Sequence, residues 1–402
     1  MSSAVPQGWK EKTLGQVSTL IMGQSPSSST YNFDGEGLPF YQGKADFGSH
    51  HPVTRVWCSE PTKIAPENSI LFSVRAPVGD VNVTKDECCI GRGLAAVIGK
   101  QVNQSYLYQN LTFMKPKFEL LAQGSTFEAV NGGEMREFQL IIPPIPEQKK
   151  IASILTSVDE VIEKTESQIA KLQDLKTGMM QELLTKGIGH TEFKDSPVGR
   201  IPVEWDHTSL GEVTVKSAFG PRFSSGEYSP SGNIGCIRTT DMDENWDIDY
   251  SKAPLAELDY AEFESHFLEE GDLLVTRSGT CGLVDVFRKQ PAPMVAAAFL
   301  IKFTLNSDVN PWFVRYAMMT SHIQSEVQLL ASGGVQKNLS GTSLKTLFIP
   351  KPPIEEQNRI VAAIESLNHQ KTVVRNRKEK LIAIKAGLMQ DLLTGKVRVK
   401  TD

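Results

Sequence analysis

The sequence predicts an α+β protein in which two pseudo-symmetric mixed α/β domains are joined by two long antiparallel helices that form a coiled coil. Three observations support this prediction. A motif pair occurs twice along the 402-residue chain. Each copy begins with short strand-like runs separated by turn residues, and each copy ends with apolar residues spaced in heptads.

The repeat is visible in two segments. Val-Pro-Gln-Gly-Trp at 5–9 recurs as Ile-Pro-Val-Glu-Trp at 201–205, an offset of 196 residues. The segment 143–185 recurs at 352–394, and 16 of its 43 positions are identical. Chance would give about one identity in twenty positions. The chain is therefore an internal duplication.

The first part of each copy predicts a globular domain. It is rich in Gly, Ser, Pro and short β-branched runs, such as those at 69–74 and 272–276. Runs of this length, with turn residues between them, predict short strands and loops with few helices. We place these domains at 1–145 and 191–350.

The last part of each copy predicts a long helix, the first over 146–190 and the second over 351–402 with its tail. Pro146 suits the start of a helix, and Gly187 and Gly395 suit helix ends. Apolar residues step by four and three and form a narrow stripe, which needs a partner helix of matching length. This seam contains Ile151, Leu155, Val158, Ile162, Ile169 and Leu172, and Ile360, Ile364, Leu367, Val374, Leu381, Leu388 and Leu392, with Lys371, Lys378 and Lys385 interrupting the second series.

The partner of each helix is predicted to be the other one. Only about fifteen residues connect the first helix to the second domain. The repeat then suggests pseudo-two-fold symmetry, with antiparallel helices and a globular domain at each end. The alternative, in which each helix packs on its own domain, explains the length of the helices less well.

Composition limits the class of protein. Hydrophobic residues make up 40% of the chain, the longest apolar run is 294–301, and the first residues have no basic-then-apolar pattern. These features, with five cysteines and no CxxC pair, favour a cytoplasmic protein without a membrane span or a disulfide framework. The net charge of −5 argues against non-specific nucleic-acid coating, but sequence-specific contacts need only a few placed groups.

A search for catalytic motifs gives nothing convincing. The segment 91–96 matches G-x-G-x-x-A, but strand-like sequence flanks it on both sides, without a helix after the glycines. The seven histidines have no metal-ligand spacing. The sequence therefore favours a binding protein that is not an enzyme and holds no metal.

Both copies carry polar loops suited to DNA. Arginine and lysine fit guanine, asparagine and glutamine fit adenine, and Gly-Ser backbone allows a close approach to phosphates. Each residue could equally be an ordinary turn or cap residue. Our candidate DNA-binding residues are Gln24, Ser25, Lys44, Arg75, Ser125, Thr126 and Asn131 in the first copy, and Arg222, Arg238, Thr239, Thr240, Arg277, Ser278, Gln336, Lys337 and Asn338 in the second.

With these features together, the whole chain resembles the specificity subunit of Type I restriction–modification systems. The resemblance rests on the two Pro-x-x-Trp openings, the two Pro-Pro-Ile-x-Glu-Gln helix starts, and the loop 332–338 that leads to Leu-Phe-Ile-Pro at 347–350. The first copy departs from the pattern at its late loop, 123–131.

The resemblance implies a function and a set of partners. Each domain would be a target-recognition domain that reads one half of a bipartite site in double-stranded DNA. The helices would dock two methyltransferase subunits, and restriction subunits would join that core. S-adenosylmethionine, ATP and Mg would be cofactors of those partners, and this chain would have none. The alternative is a scaffold whose two globular ends bind proteins, and self-contained methylation is a distant third.

One segment fits this reading poorly. Between 241 and 272 there are twelve acidic residues and one basic residue, Lys252. We expect this acidic stretch to face away from DNA or toward a partner subunit.

Overall fold

The computed structural model describes residues 5–123, 128–331 and 338–401. The chain divides into two compact units, residues 1–169 with 373–402 and residues 170–372. Each unit contains one globular part and segments of both long helices. Among the described residues, every helix is either too short or too polar to span a lipid bilayer.

The first copy contains eleven strands and four helices among its described residues. They are β1 (Lys10–Thr13), α1 (Leu14–Val17), β2 (Ser18–Met22), β3 (Tyr31–Asn32), β4 (Leu38–Tyr41), β5 (Trp57–Cys58), β6 (Ile64–Ala65), β7 (Ile70–Ser73), β8 (Val81–Val83), β9 (Cys88–Ile90), β10 (Leu94–Gly99), α2 (Gln104–Gln123), α3 (Gly132–Glu137), β11 (Gln139–Ile142) and α4 (Ile145–Lys186).

The main sheet of the first unit is antiparallel, with the strand order β2-β10-β7-β8. Its central strand β10 is apolar and buried over 94–97. On one side the ring of Phe72 meets Phe118 of α2 at 4.7 Å between centroids, and Phe118 stacks on Phe138 at 3.7 Å. A second sheet, β3-β5-β4-β9-β6, contains the parallel pair β4–β9. Strand β1 pairs with β11 and brings the two ends of the domain together.

The second copy contains eleven strands and five helices among its described residues. They are β12 (Phe193–Ser196), β13 (Gly199–Pro202), β14 (Asp206–Ser209), β15 (Thr214–Phe219), β16 (Ile234–Ile237), β17 (Leu255–Ala256), α5 (Tyr260–Phe263), β18 (Leu273–Thr276), β19 (Val284–Val286), β20 (Met294–Ala296), β21 (Leu300–Leu305), α6 (Pro311–Met318), α7 (Ser321–Leu330), α8 (Gly341–Lys345), β22 (Phe348–Lys351) and α9 (Ile354–Leu393).

The second unit repeats the four-stranded main sheet of the first, while its second sheet has three strands where that of the first has five. Its main sheet has the order β15-β21-β18-β19, and its second sheet, β17-β16-β20, contains the parallel pair β16–β20. Strand β14 pairs with β22 as β1 pairs with β11. The predicted duplication and the predicted mixed α/β class are confirmed.

The two repeated motifs meet at the start of each long helix. In the first unit the indole Nε1 of Trp9 donates a hydrogen bond to Glu147 Oε2 at 3.3 Å. In the second unit Trp205 Nε1 donates to Glu356 Oε2 at 3.0 Å. The motifs recur together because each glutamate accepts from a tryptophan about 140 to 150 residues earlier in its own copy.

The glutamine that follows each glutamate fixes the entry to the helix. Gln148 accepts from the backbone N–H of Asn103 at 2.8 Å and donates to Pro143 O at 2.8 Å. Gln357 accepts from the N–H of Asn310 at 2.8 Å and donates to the carbonyl before its own helix. The side-chain amide thus uses its donor and its acceptor in the same way in both units.

Each glutamate also holds the segment that follows the end of the other long helix. Arg398 Nε donates to Glu147 Oε2 at 2.9 Å, and His190 Nε2 lies 3.0 Å from Glu356 Oε1. Helix α4 ends at Lys186 and is followed by Gly187, whose φ of +66° favours glycine; a Cβ there would lie 2.7 Å from Glu356 Oε1.

The long helices run antiparallel within each unit. In the first unit Lys385 Nζ lies 2.6 Å from Asp159, and Lys378 Nζ lies 2.9 Å from Glu166. In the second unit Lys371 Nζ donates to Gln173 Oε1 at 2.7 Å. Positions on α9 rise by seven as their partners on α4 fall by seven. This pattern confirms the predicted antiparallel helix pair, and the lysines that interrupt the seam are the polar members of that pair.

All thirteen predicted seam residues are buried or half-buried. Ile151 and Leu155 of α4 also lie in the core of the first unit, beside Met389 and Leu392 of α9. In the second unit Ile360 and Ile364 lie in the core with Trp205. The predicted alternative therefore holds in part, because the start of each helix packs on its own globular part as well as on the other helix.

Candidate nucleic-acid interface

Backbone hydrogen bonds gather the polar loops of the first unit at one end of its main sheet. The N–H of Gly23, just after β2, donates to Leu94 O at 2.9 Å. The N–H of Val74, just after β7, donates to Gly93 O at 3.0 Å, and that of Val130 donates to Val74 O at 2.9 Å. These bonds bring together loops that are widely separated in sequence.

The second unit repeats this arrangement bond for bond. Gly220 N–H donates to Leu300 O at 3.2 Å, Arg277 N–H to Phe299 O at 2.9 Å, and Leu339 N–H to Arg277 O at 2.8 Å. The loops are therefore positioned by their backbone, and the side chains that they present can differ between units without altering the scaffold.

Four of the predicted candidates in the first unit are exposed, namely Gln24, Lys44, Arg75 and Asn131, and Ser25 is half-buried. Ser25 Oγ accepts from the backbone N–H of Arg92 at 3.3 Å. Ser125 and Thr126 lie outside the described residues.

Two of these candidates already have internal partners. Lys44 Nζ lies 2.8 Å from Asp80, whose other carboxylate oxygen contacts Lys115 at 2.7 Å. Asn131 caps α3, because its Oδ1 accepts from the N–H of Gly133 at 2.8 Å. Arg75 forms an isolated backbone bridge with Ala129, and Arg75 itself is exposed.

The candidates of the second unit line a common cleft with a volume of about 670 Å³. The predicted residues that line it are Arg222, Arg238, Thr239, Thr240, Arg277, Ser278 and Asn338. A backbone bridge between Ser278 and Asn338 joins two of the predicted loops. Gln336 and Lys337 lie outside the described residues.

Two arginines of this cleft, Arg238 and Arg277, differ in how free they are to bind an added ligand. Arg238 binds Asp241 with two nitrogens, at 3.2 and 2.7 Å, and this carboxylate raises the pKa of the guanidinium. Arg277 lies over the ring of Phe219 at 4.4 Å, and its buried Nε has no hydrogen-bond partner among the described residues. Arg277 is therefore better placed to donate to an added ligand.

Sequence reasoning missed the apolar part of the cleft. Its lining also includes Phe223, Tyr228 and the loop residues Ala297, Ala298 and Phe299. Phe299 is 58% exposed, whereas the next residue, Leu300, is fully buried. The apolar run at 294–301 was the available signal in the sequence. It continues without a polar residue through the loop 297–299, which connects the buried strands β20 and β21.

Several acids of the acidic stretch are used within the second unit. Asp241 is 1% exposed and holds Arg238, and Asp272 is 1% exposed and accepts from Thr304 Oγ1 at 2.5 Å. Asp247 lies 2.7 Å from the buried Arg315. Part of this charge therefore balances cations of the same unit, and the expectation that the stretch faces away from DNA or toward a partner stays a prediction.

Comparison with known proteins agrees with the duplicated architecture. The sequence model described as "Type I restriction modification DNA specificity domain" matches residues 6–174 and 202–383, once for each copy. The chain belongs to this family.

Other specificity subunits are similar over shorter or longer stretches. The chain is 40% identical to the type I restriction enzyme MjaX specificity subunit of Methanocaldococcus jannaschii over 185 residues, which cover 45% of this chain and 44% of that protein. It is 27% identical to the MjaVIII specificity subunit of the same organism, covering 75% and 72% of the two chains. It is 22% identical to the EcoKI specificity subunit of Escherichia coli K12, covering 97% and 88%.

The fold also matches a solved structure. The S subunit of the Type I restriction–modification system from M. genitalium covers 98% of both chains, with a TM-score of 0.60 and 15% identity. A chain from a structure of the type I R-M system complex gives the same TM-score at 17% identity. These similarities show that the fold of this chain is that of the two solved structures.

Proposed function

We propose that this protein is the DNA-binding specificity subunit of a Type I restriction–modification complex, in which each unit reads one half of a bipartite target in double-stranded DNA. One observation carries the proposal. Both units gather polar loops at the same end of the same sheet through the same backbone hydrogen bonds, while the side chains differ. A repeated frame with different side chains suits the reading of two different half-sites.

The long helices are the proposed docking elements for two methyltransferase subunits, with restriction subunits joining the complex in the cytoplasm. In this proposal the chain itself performs no catalysis. The partners bind S-adenosylmethionine, ATP and Mg. The family membership and the resemblance of the whole chain support this assignment.

A domain exchange tests the proposal. The complex with its methyltransferase subunits is produced with residues 1–140 replaced by the corresponding segment of a related subunit. Methylated sites are then mapped across a bacterial genome. We expect one half-site of the target to change and the other to remain, because each unit has its own core and its own loops.

The matched control exchanges a segment from a relative with the same target, which should leave both half-sites unchanged. A gel-shift with the wild-type complex completes the test. Indifference to DNA sequence would favour a protein scaffold, and loss of both half-sites in a folded exchange variant would contradict independent reading.

A further inference from the structure

The apolar loop between β20 and β21 is held rigidly at the edge of the second unit's cleft. The N–H of Ala297 donates to Ile237 O at 2.7 Å, and the N–H of Leu300 donates back to Ala297 O at 2.9 Å. On the other side, Phe299 O accepts from the N–H of Arg277 at 2.9 Å. The backbone on both sides of the Phe299 ring is therefore fixed, although the ring is exposed.

The ring belongs to a small apolar surface within a cationic cleft. Phe299 is 58% exposed and lines the cleft together with Phe223, Tyr228 and Arg277, and the guanidinium of Arg277 lies over the ring of Phe219, which is 46% exposed. Arg222 also lines the cleft and is exposed, whereas Arg238 lines it but is paired with Asp241. Exposed apolar surface that is surrounded by polar groups marks an interaction site, and the arginines favour an anionic ligand.

We propose that Phe299, with Ala297 and Ala298, contacts the 5-methyl group of a thymine in the half-site read by the second unit. This inference rests on the proposed function. The thymine methyl is the apolar group that base pairs present in the major groove, and phenylalanine and alanine side chains recognise it by contact. Other base edges there would leave polar atoms against an apolar loop.

The structure also predicts where this thymine lies. Arg277 directly follows β18, Phe299 directly precedes the neighbouring strand β21, and their backbones are hydrogen-bonded at 2.9 Å, so the two side chains start from adjacent backbone positions. Successive base pairs are about 3.4 Å apart. A guanine bound by Arg277 and the thymine contacted by Phe299 should therefore lie within about two base pairs of each other.

The first unit lacks this apolar contact. Its equivalent loop is Gly91-Arg92-Gly93, and the backbone bond of Phe299 is made there by Gly93 O. A Cβ at Gly93 would lie 2.4 Å from Gln42 O, so a side chain does not fit at this position. Arg92 is exposed and offers a cation instead. The two units thus differ in chemistry at the same place in the frame.

The test replaces thymine with deoxyuridine, which removes the methyl group alone. The wild-type complex with its methyltransferase subunits is titrated, in gel-shift experiments, against duplexes of its mapped target. Each thymine of the second half-site is replaced in turn. We expect one position to weaken binding about fourfold, the effect of removing one buried methyl-sized contact.

Phe299→Ala should bind the normal target about fourfold more weakly and should no longer distinguish thymine from uracil at that position. Phe348→Ala is the matched control, since Phe348 is 43% exposed on β22 and packs edge-on against His207. It should behave as wild type. Both side chains are exposed, so both variants should keep the urea midpoint of the wild-type protein.

The possible outcomes distinguish a failure of the proposed methyl contact from a failure of the proposed function. Specific binding without a uracil-sensitive thymine in the second half-site overturns the methyl contact and leaves the proposed function intact. Equal sensitivity in wild type and Phe299→Ala assigns the methyl to another residue. If Phe299→Ala weakens thymine and uracil duplexes alike, the ring is a stacking wedge, and the proposal is wrong. Absence of sequence-specific binding by the wild-type complex contradicts the proposed function itself.

Discussion

Glu356→Gln removes one negative charge from the junction where the two repeated motifs of the second unit meet. Glu356 is 8% exposed, and its carboxylate is within hydrogen-bond distance of three groups. Its Oε1 accepts from the N–H of Ile188 at 2.9 Å and faces His190 Nε2 at 3.0 Å, and its Oε2 accepts from Trp205 Nε1 at 3.0 Å. Glutamine has the same shape but offers only one acceptor oxygen.

The size of the effect follows from these contacts. If the amide oxygen stays toward Ile188 and His190, the amide NH₂ faces the indole N–H of Trp205. A buried donor without an acceptor costs about 1–3 kcal/mol, and loss of charge assistance costs about 1 kcal/mol for each remaining bond. With two remaining bonds, to Ile188 and His190, we expect the free energy of unfolding to fall by about 3–5 kcal/mol.

Urea unfolding at pH 7, followed by circular dichroism at 222 nm and by tryptophan fluorescence, measures this change. Glu355→Gln is the control, because it removes the same charge from an exposed residue one position earlier in the first turn of α9. Its cost should stay below about 1 kcal/mol. A loss no larger than that of the control would refute the view that the Trp205–Glu356 junction stabilises the unit.

Three further predictions concern the first unit's helix seam, its acid stability and the second unit's cleft. Leu155 is fully buried, so Leu155→Ala should lower the free energy of unfolding by about 2–5 kcal/mol, whereas Glu163→Gln at an exposed position of the same helix should change it by less than about 0.5 kcal/mol; equal urea midpoints would contradict this. The Arg398 guanidinium, together with Trp9, holds the pKa of Glu147 below its usual range. This contribution is present above an unfolded pKa of about 4.3 and is lost as pH falls through the lower folded pKa, so in acid titrations the wild type should lose more stability than Glu147→Gln. Arg277→Ala should weaken binding of the cognate site by about 1–3 kcal/mol and relax specificity at one base pair, and equal weakening on all sequences would indicate a phosphate contact instead.

The duplication, the mixed fold and the paired helices could be predicted from the sequence because they depend on residue type and spacing. The repeated Trp and Glu-Gln motifs occupy the same junction in both units, and heptads give one buried stripe whatever the surroundings. The lysines at 371, 378 and 385 looked like interruptions. Their partners Gln173, Glu166 and Asp159 have the same seven-residue spacing on α4 in the opposite direction, so this register could have been found.

The candidate site was harder to predict, because a polar side chain is free to bind DNA only if no neighbour in the folded protein already binds it, and such neighbours are often distant in sequence. Lys44 and Asp80 form an ion pair although they are far apart in sequence, and no local sequence pattern predicts this contact. Arg238 has its partner only three residues later, and that spacing was visible, but the burial of Asp241 was not. The cleft beside Phe299 is lined by five segments that are far apart in sequence, and only the tertiary fold brings them together.

The frame and the reading surface of each unit depend on different parts of the chain. The frame rests on buried side chains, such as Trp9 with Glu147, and these recur in both copies. The loop ends are held by backbone N–H and C=O groups, which any residue other than proline can supply. Gly93 in one unit and Phe299 in the other accept the same backbone hydrogen bond, so what the surface can contact differs between the units while that bond is kept. Because the surface residues are exposed, their substitution costs little folding free energy. A protein built this way can acquire a new half-site by changing loop side chains, without rebuilding the core or the helices that join the units.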